Sequence, residues 1–365
     1  MEELKPLNGA NDSNNGQKSY LENTMIKLQN DSLVFSFPNV HPEARLTIDF
    51  QRTLRIPDDG DDYPLPPGLG RFPLKHVDDC ADGVPQRWLE HGGVMLPMYQ
   101  SEALWLNFSS DYISENSTRY PFAVKIATGK INALTGDQWN DSLCGNPQDY
   151  LVVPEQPWLD GYCVEKGFIR QFVAMPLGSG YSAEEQITGK SEFGGLQIMV
   201  FPMKRESFDK RFPKRLERDM DYLMEDQSIC YCNAAPDMGL APGGRMRQEI
   251  YDDPYNFNEW DMGSSSRGFI HIANSLVWRA ITDEMPPTIP LTAAEYARHG
   301  LPWFEYYNDA RALNASKTLA ELKSIIQLAN LKGDNPLPEN KSINTDSVIK
   351  IKSPLKKNQV REGTF

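Results

Sequence analysis

Phe122-Ala123-Val124-Lys125-Ile126-Ala127-Thr128-Gly129-Lys130-Ile131-Asn132-Ala133-Leu134 decides how this chain is read. Phe122, Val124 and Ile126 alternate with Ala123 and Lys125. That is the period of a strand with one face on a core and the other in water. Thr128-Gly129-Lys130 then turns the chain into a second apolar run, so a β-hairpin is expected.

Outward from the hairpin the same signals recur. Ser32 to Phe37, Leu46 to Ile56, Val94 to Met98 and Leu104 to Phe108 precede it. Tyr150 to Val153, Phe168 to Met175 and Leu196 to Phe201 follow, broken by Pro and Gly. Arg245 to Tyr251, Phe269 to Ile272 and Leu276 to Ile281 read as further strands. Helical signals are fewer. Ser182-Ala183-Glu184-Glu185 has the form of a capping box, and Gly189 ends that helix. A charged amphipathic helix is expected within 206–226, with Pro213 in its first turn and Leu216, Met220 and Leu223 on one face. Thr292 to Arg298 and Thr318 to Leu331 are expected helices, the second stopped by Gly333. The fold class that results is α+β and mainly β: a sandwich- or barrel-like antiparallel sheet core with a few peripheral helices.

Composition agrees with a folded, soluble chain. The 365 residues are 40% hydrophobic and 24% charged, with a formal net charge of -13. Such acidity argues against a general nucleic-acid binder. No apolar run approaches the roughly 20 residues of a membrane-spanning helix. Residues 1–24 read as a disordered leader without an apolar export segment, and 334–365 as a disordered basic tail in which Val348, Ile349 and Ile351 could form an edge strand. Between them, 25–333 reads as a single large β-rich domain, with a subdivision near 205–228 left open. The five cysteines, Cys80, Cys144, Cys163, Cys230 and Cys232, are odd in number and scattered, which suits free thiols in a cytoplasmic protein.

No motif fixes a chemistry. Gly189-Lys190-Ser191 ends like a phosphate-binding loop, but the glycine needed five positions earlier is Glu184. Leu177-Gly178-Ser179-Gly180 places amides before a helix and reads as a tight turn or an anion site. Asp58, Asp59, Asp61 and Asp62 read as an exposed acidic turn. His76, Asp78, Asp79, Cys80 and His91 lack zinc spacing, so no metal site is assigned. Cys230 and Cys232 are either two structural thiols, a soft-metal pair or a redox pair. His271, between Ile270 and Ile272, is expected on the opposite, exposed face.

The surface chosen as a candidate ligand site combines Trp158, Asp160, Arg170, Gln171, Arg245 and Arg247. Trp158 beside Asp160, like Trp260 beside Asp261, suits a sugar ring, whose C–H face covers an indole while a carboxylate takes hydroxyls. Gly243-Gly244 reads as a turn leading into a strand that carries Arg245 and Arg247 on one face, a clamp for carboxylate or phosphate. Arg170 and Gln171 interrupt an apolar strand, so one must face the core and find a partner there.

Gln148-Asp149-Tyr150, the run from Pro154 to Gly161, that from Ile169 to Gly178, Gly194 to Gln197, Leu240 to Gln248 and Gly300 to Phe304 together resemble an uncharacterised family of soluble microbial and fungal proteins. The resemblance spans residues 32–310 and implies no activity and no cofactor. The expected role is therefore binding of a small polar or anionic ligand or of a protein partner, without nucleic acid or membrane. The alternative is a hydrolase using clustered carboxylates or a Cys–His pair, with or without a metal.

Overall fold

The computed structural model describes residues 26–214, 237–307, 312–334, 342–345 and 347–352. The hairpin forms around Gly129 and Lys130, whose φ values of 53° and 59° place both in the left-handed region while Thr128 pairs with Ile131. This is the primed turn whose twist matches the flanking strands. Its return arm is only Ile131–Asn132. The Asn132 side chain accepts from the amides of Leu134 and Thr135 at 2.8 and 3.0 Å, which bends the chain out of the ladder.

Phe122–Thr128 pairs antiparallel with Leu196–Pro202 along its whole length, and Leu151–Val153 takes part of its other edge. From Leu196–Pro202 the pairing passes to Ser266–Asn274, then Asp237–Arg247, Phe168–Pro176, Glu102–Ser110, Arg45–Leu54 and Ser32–Ser36. The result is a mixed α+β fold on a 17-stranded, largely antiparallel sheet with short helices at its periphery. Two joins within it are parallel: Val94–Met98 beside Ser266–Asn274, and Asp62–Tyr63 beside Asp237–Arg247. The sheet does not close as a barrel, which corrects that half of the expectation. Among the described residues the outer strand Ile26–Gln29 pairs with Ser32–Ser36 alone. Apolar side chains from both ends of the pairing order meet in one core, where the Phe37 and Phe122 rings lie 5.8 Å apart.

The hairpin strand has no wet face. Lys125 is fully buried, its ammonium 2.7 Å from the Asp149 carboxylate, with Asn140 Oδ1 and the Ser142 carbonyl at 2.9 and 2.6 Å. The loop carrying these groups lies over the face that alternation assigned to water. A buried ammonium is tolerable only when paired and hydrogen-bonded in this way.

Three other expectations change. Gly243 and Gly244 lie inside the strand Asp237–Arg247, not in a turn before it. A Cβ on Gly243 would sit 2.5 Å from Val173 Cγ2, and one on Gly244 2.4 Å from the Pro57 carbonyl, so glycine permits close approach there. Leu276 to Ile281 is not a strand: Trp278–Thr282 is helical, because Val277 and Ile281 are spaced one turn apart and Trp278 packs under Val77, Trp88 and Met95. The helix expected over 318–331 is two, Lys317–Ala320 and Ile325–Lys332, the second restarted by a capping box on Ser324. Pro213 comes just after the helix Arg205–Arg211, and from residue 215 on the helix expected within 206–226 lies outside the described residues. Leu216, Met220 and Leu223, like Cys230 and Cys232, lie outside the described residues. Val348–Lys352 forms a strand parallel to Trp303–Tyr307.

Candidate ligand-binding cleft

The six residues singled out in the sequence lie on neighbouring segments of the sheet, but most of their polar atoms are used internally. Arg170 and Arg245 are cross-strand neighbours. The Arg170 guanidinium donates at 3.1 Å to buried Asp58 and to the Gly243 carbonyl. Asp58 also accepts from the Ile326 amide, pinning the Ile325–Lys332 helix to the sheet. Arg245 lies 4.2 Å above the Phe168 ring and pairs with Glu165 at 2.6 Å and Asp62 at 3.2 Å. Two of the four acids in the turn at 58–62, Asp62 and buried Asp58, are thus paired with arginines of the same chain. Gln171 is the residue that faces inward, exchanging bonds with the Ile56 amide and the Leu54 carbonyl. Asp160 is buried, accepts from Gln248 Nε2 at 2.8 Å and bonds the Trp158 side chain; burial nevertheless pushes its carboxyl up to about 7. Trp158 and Arg247 do share a groove of about 250 Å³, with Phe168, Lys166 and Gln248 around them.

The amides noticed in the sequence at 177–180 are taken up by the protein itself, and so are those at 192–194. Glu185 Oε1 accepts from Gly178 and Gly180, each at 2.8 Å. Buried Glu184 accepts from the amides of Glu192, Phe193 and Gly194 at 2.8, 2.9 and 2.8 Å. An internal carboxylate stands where an external anion would have bound. His271 is not on the surface: it is buried between the rings of Trp88 and Phe269, at 4.6 and 4.3 Å, and desolvation pushes its pKa down to about 3. The helix Gln86–His91 covers the face expected to be exposed. Among the described residues no group of three or more His, Cys, Asp and Glu side chains is placed to hold a metal ion.

A larger cavity lies next to that groove, with Tyr251 common to both. It measures about 920 Å³ and is walled by three stretches far apart in sequence: 134–163, 251–257 and 313–318. Two glutamines fasten the first two. Gln148 accepts from the Asp253 amide at 2.8 Å and donates to the Tyr150 and Tyr251 carbonyls. Gln156 accepts from the Tyr251 amide at 3.1 Å and donates to the Glu249 carbonyl. The Lys125–Asp149 pair holds the base of the first wall, since Asp149 also accepts from the Cys144 amide at 2.8 Å. The third wall is tied on by the Leu313 amide to the Ile250 carbonyl and by the Ser316 hydroxyl to the Thr135 carbonyl.

Two carboxyl groups in the cleft differ in what they have left to offer. Asp253 is saturated: Oδ2 accepts from Tyr150 and from the indole of buried Trp260, at 2.6 and 2.8 Å, and Oδ1 from the Tyr255 amide at 2.8 Å. Trp260 thus presents no ring to a ligand but orients an acid beneath the cleft floor. Glu155 Oε1 accepts from the Tyr255 hydroxyl at 2.7 Å, whereas buried Oε2 has no hydrogen-bond partner among the described residues. Desolvation raises the Glu155 pKa, against the opposing Tyr255 bond. Tyr150 and Tyr255 are pushed well above the usual phenol range by burial and acidic neighbours, so they remain donors. Cys163 also lines the cleft, its thiol pushed up to about 11 by burial, and no histidine joins it there. Sequence reading passed over Glu155, Asp253 and Tyr255. The available signal was polar residues bracketed by prolines, Pro154-Glu155-Gln156-Pro157 and Asp253-Pro254-Tyr255.

Compared with known proteins, the chain matches no family model, no curated protein and no solved structure.

Proposed function

We propose that this protein binds a small polar ligand in the cleft around Glu155. The observation that carries the reading is a cavity of about 920 Å³ whose walls combine Tyr150, Tyr255 and Phe257 with the polar side chains of Glu155, Asn146 and Asn314. Ligand pockets run to roughly 300–1,000 Å³, with apolar and aromatic walls and a few placed polar groups. The sheet acts as a sandwich-like scaffold from which the loops of the three walls project. The groove between Trp158 and Arg247 extends the site, with Arg245, Arg170, Gln171 and Asp160 supporting it from below. Three unbridged thiols, Cys80, Cys144 and Cys163, support a cytoplasmic setting.

A second reading, hydrolysis by paired carboxyls, is favoured by the same cleft holding Glu155, shifted toward its protonated form, and Asp253. One experiment bears on the site itself. Ala315 lines the cleft, and Ala315→Trp fills it from the third wall. In a thermal-shift screen of sugars, polyols, amino acids and nucleosides, at least one compound should raise the midpoint of the parent and leave Ala315→Trp unmoved. Stabilisation retained in Ala315→Trp, or none in the parent, would overturn the assignment.

A further inference from the structure

We infer that the cleft takes a neutral, polyhydroxylated ligand of saccharide type and excludes anions, an inference that rests on the cleft being the binding site. Among the described residues the charged side chains lining it are Asp137, Glu155, Asp252 and Asp253, with no Lys, Arg or His. A concave site lined by one sign of charge focuses that field, so a phosphate, sulfate or carboxylate is repelled on entry. Two of these acids, Asp253 and Glu155, are poor partners for a cation. Asp253 spends both oxygens on three internal donors. Glu155 is disfavoured as an anion by its burial. An amine placed beside it would lose its water before gaining a full countercharge.

What remains suits hydroxyl groups. Glu155, Asn146, Asn314 and Thr318 all line the cleft, and the side chains of the last three make no hydrogen bond within the described residues. Each amide and hydroxyl both donates and accepts, as does a protonated carboxyl. Tyr150, Tyr251, Tyr255 and Phe257 supply aromatic surface in the same walls. Pyranose rings offer C–H faces to such surface while their hydroxyls project at the edge, so both kinds of wall are used at once. The volume, near the upper end for pockets, admits an oligosaccharide.

The test is titration calorimetry of the full chain with defined hexamers: neutral glucans, mannans and N-acetylglucosamine oligomers, a deacetylated cationic set, and an anionic uronic-acid set. A neutral probe should bind, with its cationic and anionic counterparts at least ~10-fold weaker, and Ala315→Trp should abolish binding. Glu155→Gln, which keeps an amide donor and acceptor, should stay within about 3-fold of the parent, while Glu155→Ala should lose at least ~10-fold, measured below its unfolding midpoint. Preferential capture of a charged set, blocked by Ala315→Trp, would sink the ligand class while leaving the cleft standing. Neutral binding that survives Ala315→Trp would sink the cleft itself. No response to any hexamer, or full binding by Glu155→Ala, would overturn the saccharide assignment.

Discussion

Asp160 and His271 are both buried, and burial drives their proton affinities in opposite directions. The folded Asp160 carboxyl is pushed from the ordinary 3.8 to about 7 by desolvation. Between those values the folded chain holds a proton that the unfolded chain has lost. Stability from this group is therefore fully present below 3.8 and is lost as pH rises through about 7. His271, pushed from 6.5 to about 3, behaves in reverse: its contribution is present above 6.5 and is lost as pH falls through about 3. Asp160→Asn is expected to gain on the parent in urea unfolding as pH rises from about 4 to about 7. His271→Phe is expected to gain on it between about pH 6.5 and 4. Difference curves that stay flat would contradict both assignments. Glu184 allows a prediction without titration: Glu184→Ala strands three backbone amides, so roughly 3 kcal/mol of stability should be lost, read from the same urea midpoints. None of these roles was visible in the linear pattern. Periodicity says which face a residue occupies, not whether a helix or loop later covers it, and Lys125 and His271 were both misplaced for that reason.

At the scale of elements, the pairs of residues that make turns and caps were readable. Gly129-Lys130 at a primed turn, and Ser182 and Thr292 with an acid three residues on, dictate their geometry through a few local bonds. Elements set by distant contacts were not. Gly243-Gly244 looks like a turn in isolation, and only the approach of Val173 and Pro57 shows why a strand needs glycine there. Gly244→Ala presses a Cβ against the Pro57 carbonyl, which is backbone, and should cost about 3 kcal/mol. Gly243→Ala meets a Val173 methyl that can turn aside, and should cost about 1 kcal/mol. Equal losses would show that the two strands can separate locally. Ser324→Ala removes the cap that restarts the last helix and should cost about 1 kcal/mol, measured by thermal unfolding.

At the scale of the whole molecule, the sheet was legible and the cleft was not. Strand signals are local and repeat along the chain, so a β-rich fold follows from them even though the order of pairing does not. The cleft is made where residues near 150, 253 and 315 converge, and nothing in one sequence marks that meeting. The arginines chosen from sequence were conspicuous because they interrupt apolar strands, yet Arg170 and Arg245 are held by Asp58, Asp62 and Glu165. The most direct measurement is hydrogen–deuterium exchange of the full chain with and without a bound neutral hexamer. Protection confined to 145–155, 251–257 and 313–318 is the expected result. Protection centred instead on 165–170 and 245–249, with the cleft unchanged, would contradict it.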